Sequence, residues 1–388
     1  MRYSSYLRSA ILALDEYDGS VPLQSFLKTF FARDKKFGST DRRTISQLCY
    51  CYFRLGKAAT ELSKEERILL ALFLCSTVSH PVLQALKPEW DLHIGATVTE
   101  KMTLAHTGFN IESIFPWAGE LSAGISHDTF SRSFLVQPKF FIRIRPGKEK
   151  RVKEKLLSAG IAFEELRSDA LALPQGASLD KYLKLDEEAV VQDYSSQRVG
   201  DFFPGIAPGD TVWDCCSGSG GKSILAYDRQ PRLQLAVSDK RESIMANLRR
   251  RFRDAGINSY KAMVTDLEKR LDPGIAKMFS APPSLVIADV PCSGSGTWSR
   301  TPEQLYYYQP ETTLAYQRTQ TRILQNVLPV LSKGSHLLYI TCSVFKKENE
   351  EVVERMVQHD GLKCIHQSMI VGYEQGADSL FTALLISE

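Results

Sequence analysis

The chain lacks the cysteine patterns that signal a metal centre or a disulfide framework. Its eight cysteines are Cys49, Cys51, Cys75, Cys215, Cys216, Cys292, Cys342 and Cys364. None forms a CxxC pair, the seven histidines are scattered, and no His/Cys cluster has zinc-ligand spacing. No resident metal is therefore expected. Long apolar runs are also missing. The most hydrophobic stretch, Ile68 to Val78, falls far short of the ~20 residues a membrane helix needs. The opening "MRYSSYLRSA" is polar and mixed, unlike a secretory signal. Membrane association is not expected, and a soluble, cytoplasmic monomer is. There is no internal repeat and no low-complexity segment. Charge of one sign is scarce too: the net value is +3, with pI near 8.3. A nucleic-acid partner would have to be served by local clusters rather than by the total.

What is present is ordinary globular material, 43% hydrophobic and 24% charged over 388 residues, enough for two or three domains. Residues 1–130 read as helical. Tyr6, Ala10, Ile11 and Leu14 share one face, as do Ile45, Leu48, Cys49, Tyr52 and Phe53. Ser63 to Glu66, "SKEE", is a capping box ahead of an apolar helix. Residues 131–190 read as a small α/β module, with a strand in "KFFIRIR" and a basic helix in "KEKRVKEKLLSAG". Residues 191–388 alternate strand and helix, the pattern of a mostly parallel sheet with helices on both faces. Strands are expected at 211–216, 233–239, 261–266, 284–292 and 335–343, with two more near the end.

Four of these strands end at or near an aspartate: Asp214, Asp239, Asp266 and Asp289. Ligands of open α/β sheets bind beyond the carboxyl ends of the strands, and strands otherwise disfavour Asp. The bland reading of each acid is a strand-end cap. The first strand runs into Ser217, Gly218, Ser219, Gly220, Gly221 and Lys222. A Walker A loop would need glycine where Cys216 stands, and the dinucleotide pattern fails at Ser223. A glycine loop followed by an acid, Asp239, after the next strand suits an adenosine-bearing cofactor without pyrophosphate. A dehydrogenase is disfavoured on the same grounds. Cys292 and Cys342 fall on this same edge, after the fourth and fifth strands. A thiolate there is a strong nucleophile once the site ionises it. From the residues alone, Cys292 is the expected nucleophile.

Together "DCCSGSGGKS", "VSDKRES", "VTD", "VIADVPCSGSGTWSRTPE" and "LLYITCSVFKKENEEVV" resemble the successive motifs of the Sun/Fmu (RsmB-type) RNA cytosine-C5 methyltransferases. The match runs from Val190 to Glu388, and the paired PC and TC cysteines are its most specific feature. The helical start, with "STDRRTISQLCYCYFR", is similar to a NusB-like RNA-binding domain. The resemblance implies a Rossmann-like S-adenosylmethionine-dependent methyltransferase fold with a seven-stranded sheet. It makes Cys342 the nucleophile, gives Cys292 the breakdown of the adduct, and has Asp289 hold the cytosine amino group. Cofactor contacts would come from Cys216 through Lys222, Asp239, Asp266 and Asp289, with Lys222 on the methionine carboxylate. The implied substrate is RNA, small-subunit ribosomal RNA first and tRNA second. An assembly factor that kept the fold and lost the activity is the other class. The family loop usually reads Ala-Ala-Pro-Gly-Gly-Lys, and an arginine usually stands where this chain has Ile244. Basic segments at Arg33 to Arg43 and Arg143 to Lys155 are the expected phosphate contacts.

Overall fold

The computed structural model describes residues 2–34, 37–106, 108–269 and 274–388. Lys35 and Lys36, in the first basic segment, lie outside the described residues. The chain forms two compact units. The first comprises Met1–Gly119, Ser126–Gln137 and Thr297–Gln309, and the second the remainder.

The first unit is helical because its apolar residues recur at helical spacing. Helices Arg2–Glu16, Leu23–Ala32, Ser39–Arg54 and Lys64–Cys75 bury Ala10, Leu14, Leu27, Ile45, Leu48, Cys49, Phe53 and Leu72. Ser63 closes the expected capping box with Glu66. Cys49 is a core residue whose thiol burial pushes up to about 12. The sequence gives no sign that Thr297–Gln309 belongs here. Its tyrosines fill the aromatic core: Tyr307 stands edge-on to Tyr17 at 5.7 Å, and Tyr306 lies 5.4 Å from Phe53. Buried Glu303 accepts the Leu23 N–H at 3.1 Å, and Lys57 Nζ donates to the carbonyl of Tyr306 at 2.6 Å.

The second unit holds two sheets. Strands β1 (Phe140–Ile144), β2 (Glu164–Arg167), β3 (Ala170–Leu173) and β4 (Ala189–Val191) form an antiparallel sheet in the order β2-β3-β1-β4. Strands β5 (Thr211–Asp214), β6 (Gln234–Asp239), β7 (Tyr260–Val264), β8 (Leu285–Asp289), β9 (His336–Thr341), β10 (Leu362–Ile370) and β11 (Leu380–Ser387) form the larger one. Its order is β10-β11-β9-β8-β5-β6-β7, and only β11 runs against its neighbours. This is the expected Rossmann-like, mostly parallel seven-stranded sheet. Strand side chains alternate, so each strand feeds two cores. Trp213, Val286, Ala288, Leu337 and Tyr339 pack on one face with Ile323, Leu324, Val352 and Met356. Val212, Leu285, Ile287, Leu338 and Ile340 pack on the other with Ile224, Met245, Leu248 and Phe252. Ile244, where the family usually has an arginine, is only half-buried, and Met245 is the residue this helix turns inward.

Strand β1 corrects one expectation. Arg143 and Arg145 were to contact RNA phosphates, yet Arg143 is only 3% exposed. Both guanidinium groups bond Asp228 of helix Gly221–Arg229, at 2.6 Å each. Arg145 also donates to the Ala255 carbonyl at 2.5 Å. Lys155 and Arg151 close on buried Glu188 at 2.6 and 2.8 Å. Arg143 and Arg145 tie the small sheet to the large one within this unit, Lys155 and Arg151 pair within the small module, and Lys150, 90% exposed, stands 3.9 Å from Glu154 on its own helix.

Candidate active site

The loop after β5 is shaped by its glycines. Gly218 and Gly220 have φ of +51° and +85°, which side chains rarely tolerate. A Cβ on Gly220 would lie 2.6 Å from the Phe252 ring, whereas one on Gly218 would meet nothing within 4 Å. The turn is therefore packed beneath and open above Gly218. Ser217 anchors it by donating N–H and Oγ–H to the Ser238 carbonyl, and Arg251 holds Ser219. Cys216 is half-buried against the core, and Cys215 is fully within it.

Asp239 ends β6 directly across this turn. Its Oδ2 accepts the Gly218 N–H at 3.0 Å, and Arg241 binds both its oxygens. Burial works against the charge, but these hydrogen bonds outweigh it and lower the carboxyl's pKa. Arg241 is more than half exposed, so it covers the carboxylate without being fixed in the fold. Asp266 lies two residues beyond β7 and accepts the Glu268 N–H. A carboxylate beside an open glycine turn is an acceptor that fits the hydroxyls of a ribose.

Lys222 and Asp289 meet at the centre. Lys222 Nζ lies 2.9 Å from Asp289 Oδ2. Burial opposes the ammonium charge, yet Asp289, Cys342 and Asp214 hold it above its usual pKa. Asp214 is wholly buried, and among the described residues its side chain accepts only the Ser223 hydroxyl, at 2.6 Å. Burial raises its pKa to about 7, against that hydrogen bond.

The strand order puts β8 beside β5 and β9 beyond it, so the chain reversals after β8 and β9 converge. Cys292 Sγ and Cys342 Sγ lie 3.2 Å apart, and the Cys342 N–H donates to Cys292 Sγ at 3.3 Å. The hydrogen bond with Cys342, then burial and the Cys342 and Glu348 charges, push the Cys292 pKa well up. Cys292 is thus held as a thiol. Cys342 adjoins Lys222, a cation. The two thiols, Asp289 and Lys222 form one cluster. Two fully buried acids near this cluster were not assigned to it from the sequence, Asp214, noted only as a strand-end acid, and Glu348 within "KKENEE". Only the charge run around Glu348 could have drawn attention, and such runs are usually solvated.

Residues 205–379 match the family model described as 16S rRNA methyltransferase RsmB/F. Through this segment the chain is similar to the RsmB/F family. Ribosomal RNA small subunit methyltransferase B of Xanthomonas campestris is 31% identical over 172 residues, 43% of this chain and 38% of that one. The protein of that name from Xylella fastidiosa strain 9a5c is 29% identical over 296 residues, 70% of this chain and 66% of its own. The chain thus spans 38% and 66% of the length of these two relatives. Among solved structures, PH0851 superposes with a TM-score of 0.69 at 18% identity, over 98% of each chain. NSun6 from Pyrococcus horikoshii, solved with SFG, gives 0.56 at 14%, over 67% of this chain and 94% of that one. At these identities the likeness is one of fold.

Proposed function

We propose that the chain methylates carbon-5 of a cytosine in RNA, with small-subunit ribosomal RNA as the substrate class. The observation that carries the reading is the thiol pair at 3.2 Å on the strand edge that also holds Asp239, Asp289 and Lys222. S-adenosylmethionine, when bound, supplies the electrophilic methyl group. Asp239 and the turn at Gly218 would hold its ribose, Asp266 its adenine amine, and Cys216 to Lys222 its remaining edge.

Carbon-5 of cytosine is a poor nucleophile. The Cys342 thiolate adds to carbon-6, forming an S–C bond and pushing the ring's double-bond electrons onto carbon-5. After methylation a base takes the carbon-5 proton. The S–C bond then breaks, and its electrons return to Cys342 sulfur. This divides one hard step into easier ones. Asp289 takes the exocyclic amino group. Cys292, kept protonated 3.2 Å away, assists the breakdown. The target base must be unpaired or flipped out to reach these groups. Such a site reads little beyond one base, so target choice is assigned to residues 1–130 as a NusB-like RNA-binding domain and to 131–190. Residues 191–388 do the chemistry.

Denaturing gels of the protein incubated with ribosomal RNA transcript and S-adenosylmethionine test the roles. Cys342→Ala is expected to form no covalent adduct and transfer no methyl group. Cys292→Ala is expected to accumulate the adduct. The opposite pattern would reverse the two assignments.

A further inference from the structure

Each thiol of the pair is followed by a serine, and both serines end on one carboxylate. Glu348 is fully buried. Its Oε2 accepts from Ser293 Oγ at 2.6 Å and from Ser343 Oγ at 2.5 Å. Its Oε1 accepts from the Ser293 N–H at 2.8 Å and from Gln320 Nε2 at 3.1 Å. Gln320 Nε2 also reaches the carbonyl of Pro291, the residue before Cys292, at 3.0 Å. Among the described residues no lysine, arginine or histidine lies within ion-pair distance of Glu348. A buried carboxylate without a cation is a poor means of stabilising a fold. Its four donors come instead from the two thiol loops and one helix.

The lacing continues beyond it. Ser295 Oγ accepts the Val344 N–H at 2.8 Å, and the Gly296 N–H donates to the Cys342 carbonyl at 2.9 Å. The two loops leave different strands, and these bonds set their register. We infer that Glu348 is a positioning residue that clamps the Cys292 and Cys342 loops together, so that the two sulfurs meet at the spacing the reaction needs. This rests on the roles given above to the two cysteines. Fully buried, Glu348 would act through the two thiol loops rather than on base or cofactor directly.

Thiol spacing can be read without RNA or cofactor. Diamide takes up the two thiol hydrogens as the sulfurs join, and peptide mapping by mass identifies the Cys292–Cys342 disulfide. In the full chain, Glu348→Ala is expected to slow that disulfide and methyl transfer to ribosomal RNA transcript by about 100-fold each, the cost of ~1 Å of misplacement. Glu348→Gln, which keeps the shape and most partners, is expected to stay within about tenfold of wild type in both. Disulfide formation at the wild-type rate in Glu348→Ala would overturn the clamp. If Glu348→Ala gives no cooperative melt, the Ser293→Ala/Ser343→Ala double variant takes its place. It removes both Oε2 donors, and a wild-type disulfide rate there overturns the clamp equally. A wild-type protein inert on RNA, with the disulfide still slowed in the variant, would sink the proposed function and leave the clamp standing.

Discussion

Among the described residues the one hydrogen bond to the Asp214 carboxyl comes from the Ser223 hydroxyl, and burial raises its pKa to about 7 against that bond and the Lys222 charge. The folded state therefore holds a proton that the unfolded chain releases near pH 4. That contribution to stability is fully present below the unfolded pKa and is lost as pH rises through about 7. Asp214→Asn removes it. The variant's melting temperature is expected to fall less than wild type's between pH 4 and 8, and scanning calorimetry across that range checks it. Parallel curves would show that Asp214 is not protonated in the fold. Asp239 works in the other direction, ionised and bonded by Arg241 and the Gly218 N–H. Asp239→Ala should weaken S-adenosylmethionine binding by about 1.5–3 kcal/mol, the loss of hydrogen bonds to a charged acceptor. Calorimetric titration measures it, and unchanged affinity would remove Asp239 from the cofactor site.

At the level of elements, the glycine turn and strand β1 show two kinds of constraint. Gly220→Ala forces a side chain into positive φ and against the Phe252 ring at 2.6 Å. A destabilisation of about 1–3 kcal/mol in urea unfolding is expected. The turn was legible because glycine recurs where the chain must reverse after a strand. Strand β1 was legible as a strand but not in its role. Its arginines alternate with apolar residues, the same pattern a solvated face would show. Only Asp228, 85 residues along from Arg143, turns them inward. Asp228→Ala leaves two guanidinium groups buried and unpaired, at a cost of about 3–5 kcal/mol. A loss below 1 kcal/mol would mean that water replaces the carboxylate there.

On the scale of the whole chain, the path matters as much as the elements. Directly after the Cys292 loop the chain leaves one unit at Gly296, contributes Thr297–Gln309 to the helical unit, and returns at Pro310. Tyr307→Ala should thus destabilise the helical unit by about 3 kcal/mol, as large-to-small aromatic changes do. Hydrogen exchange is expected to show the loss of protection first in helices Arg2–Glu16 and Ser39–Arg54. Retained protection there would mean that the tyrosine packing adds nothing. RNA affinity, under the proposed function, should fall in Lys148→Ala/Lys150→Ala with a shallower salt slope, because phosphate contacts act through counterion release. Filter binding at several salt concentrations checks it, and an unchanged slope would place the contacts elsewhere.

The sequence by itself determined the alternating strands and helices, the acids at the strand ends, the glycine turn and the two thiols. Each is a local pattern: side-chain period, turn chemistry, or a residue type that strands ordinarily exclude. Its own residues favoured Cys292 as the nucleophile, and only the family resemblance moved that role to Cys342, since both follow strands and both are cysteines. Tertiary structure set them 3.2 Å apart and placed Lys222 by one and Glu348 behind both. It also converted Arg143 and Arg145 from open charges into internal ties and made Tyr306 and Tyr307 part of a helical core. These are pairings between residues remote in sequence. Burial and charge partners come from the folded neighbourhood, and the same local pattern serves a solvated face or a buried one equally well.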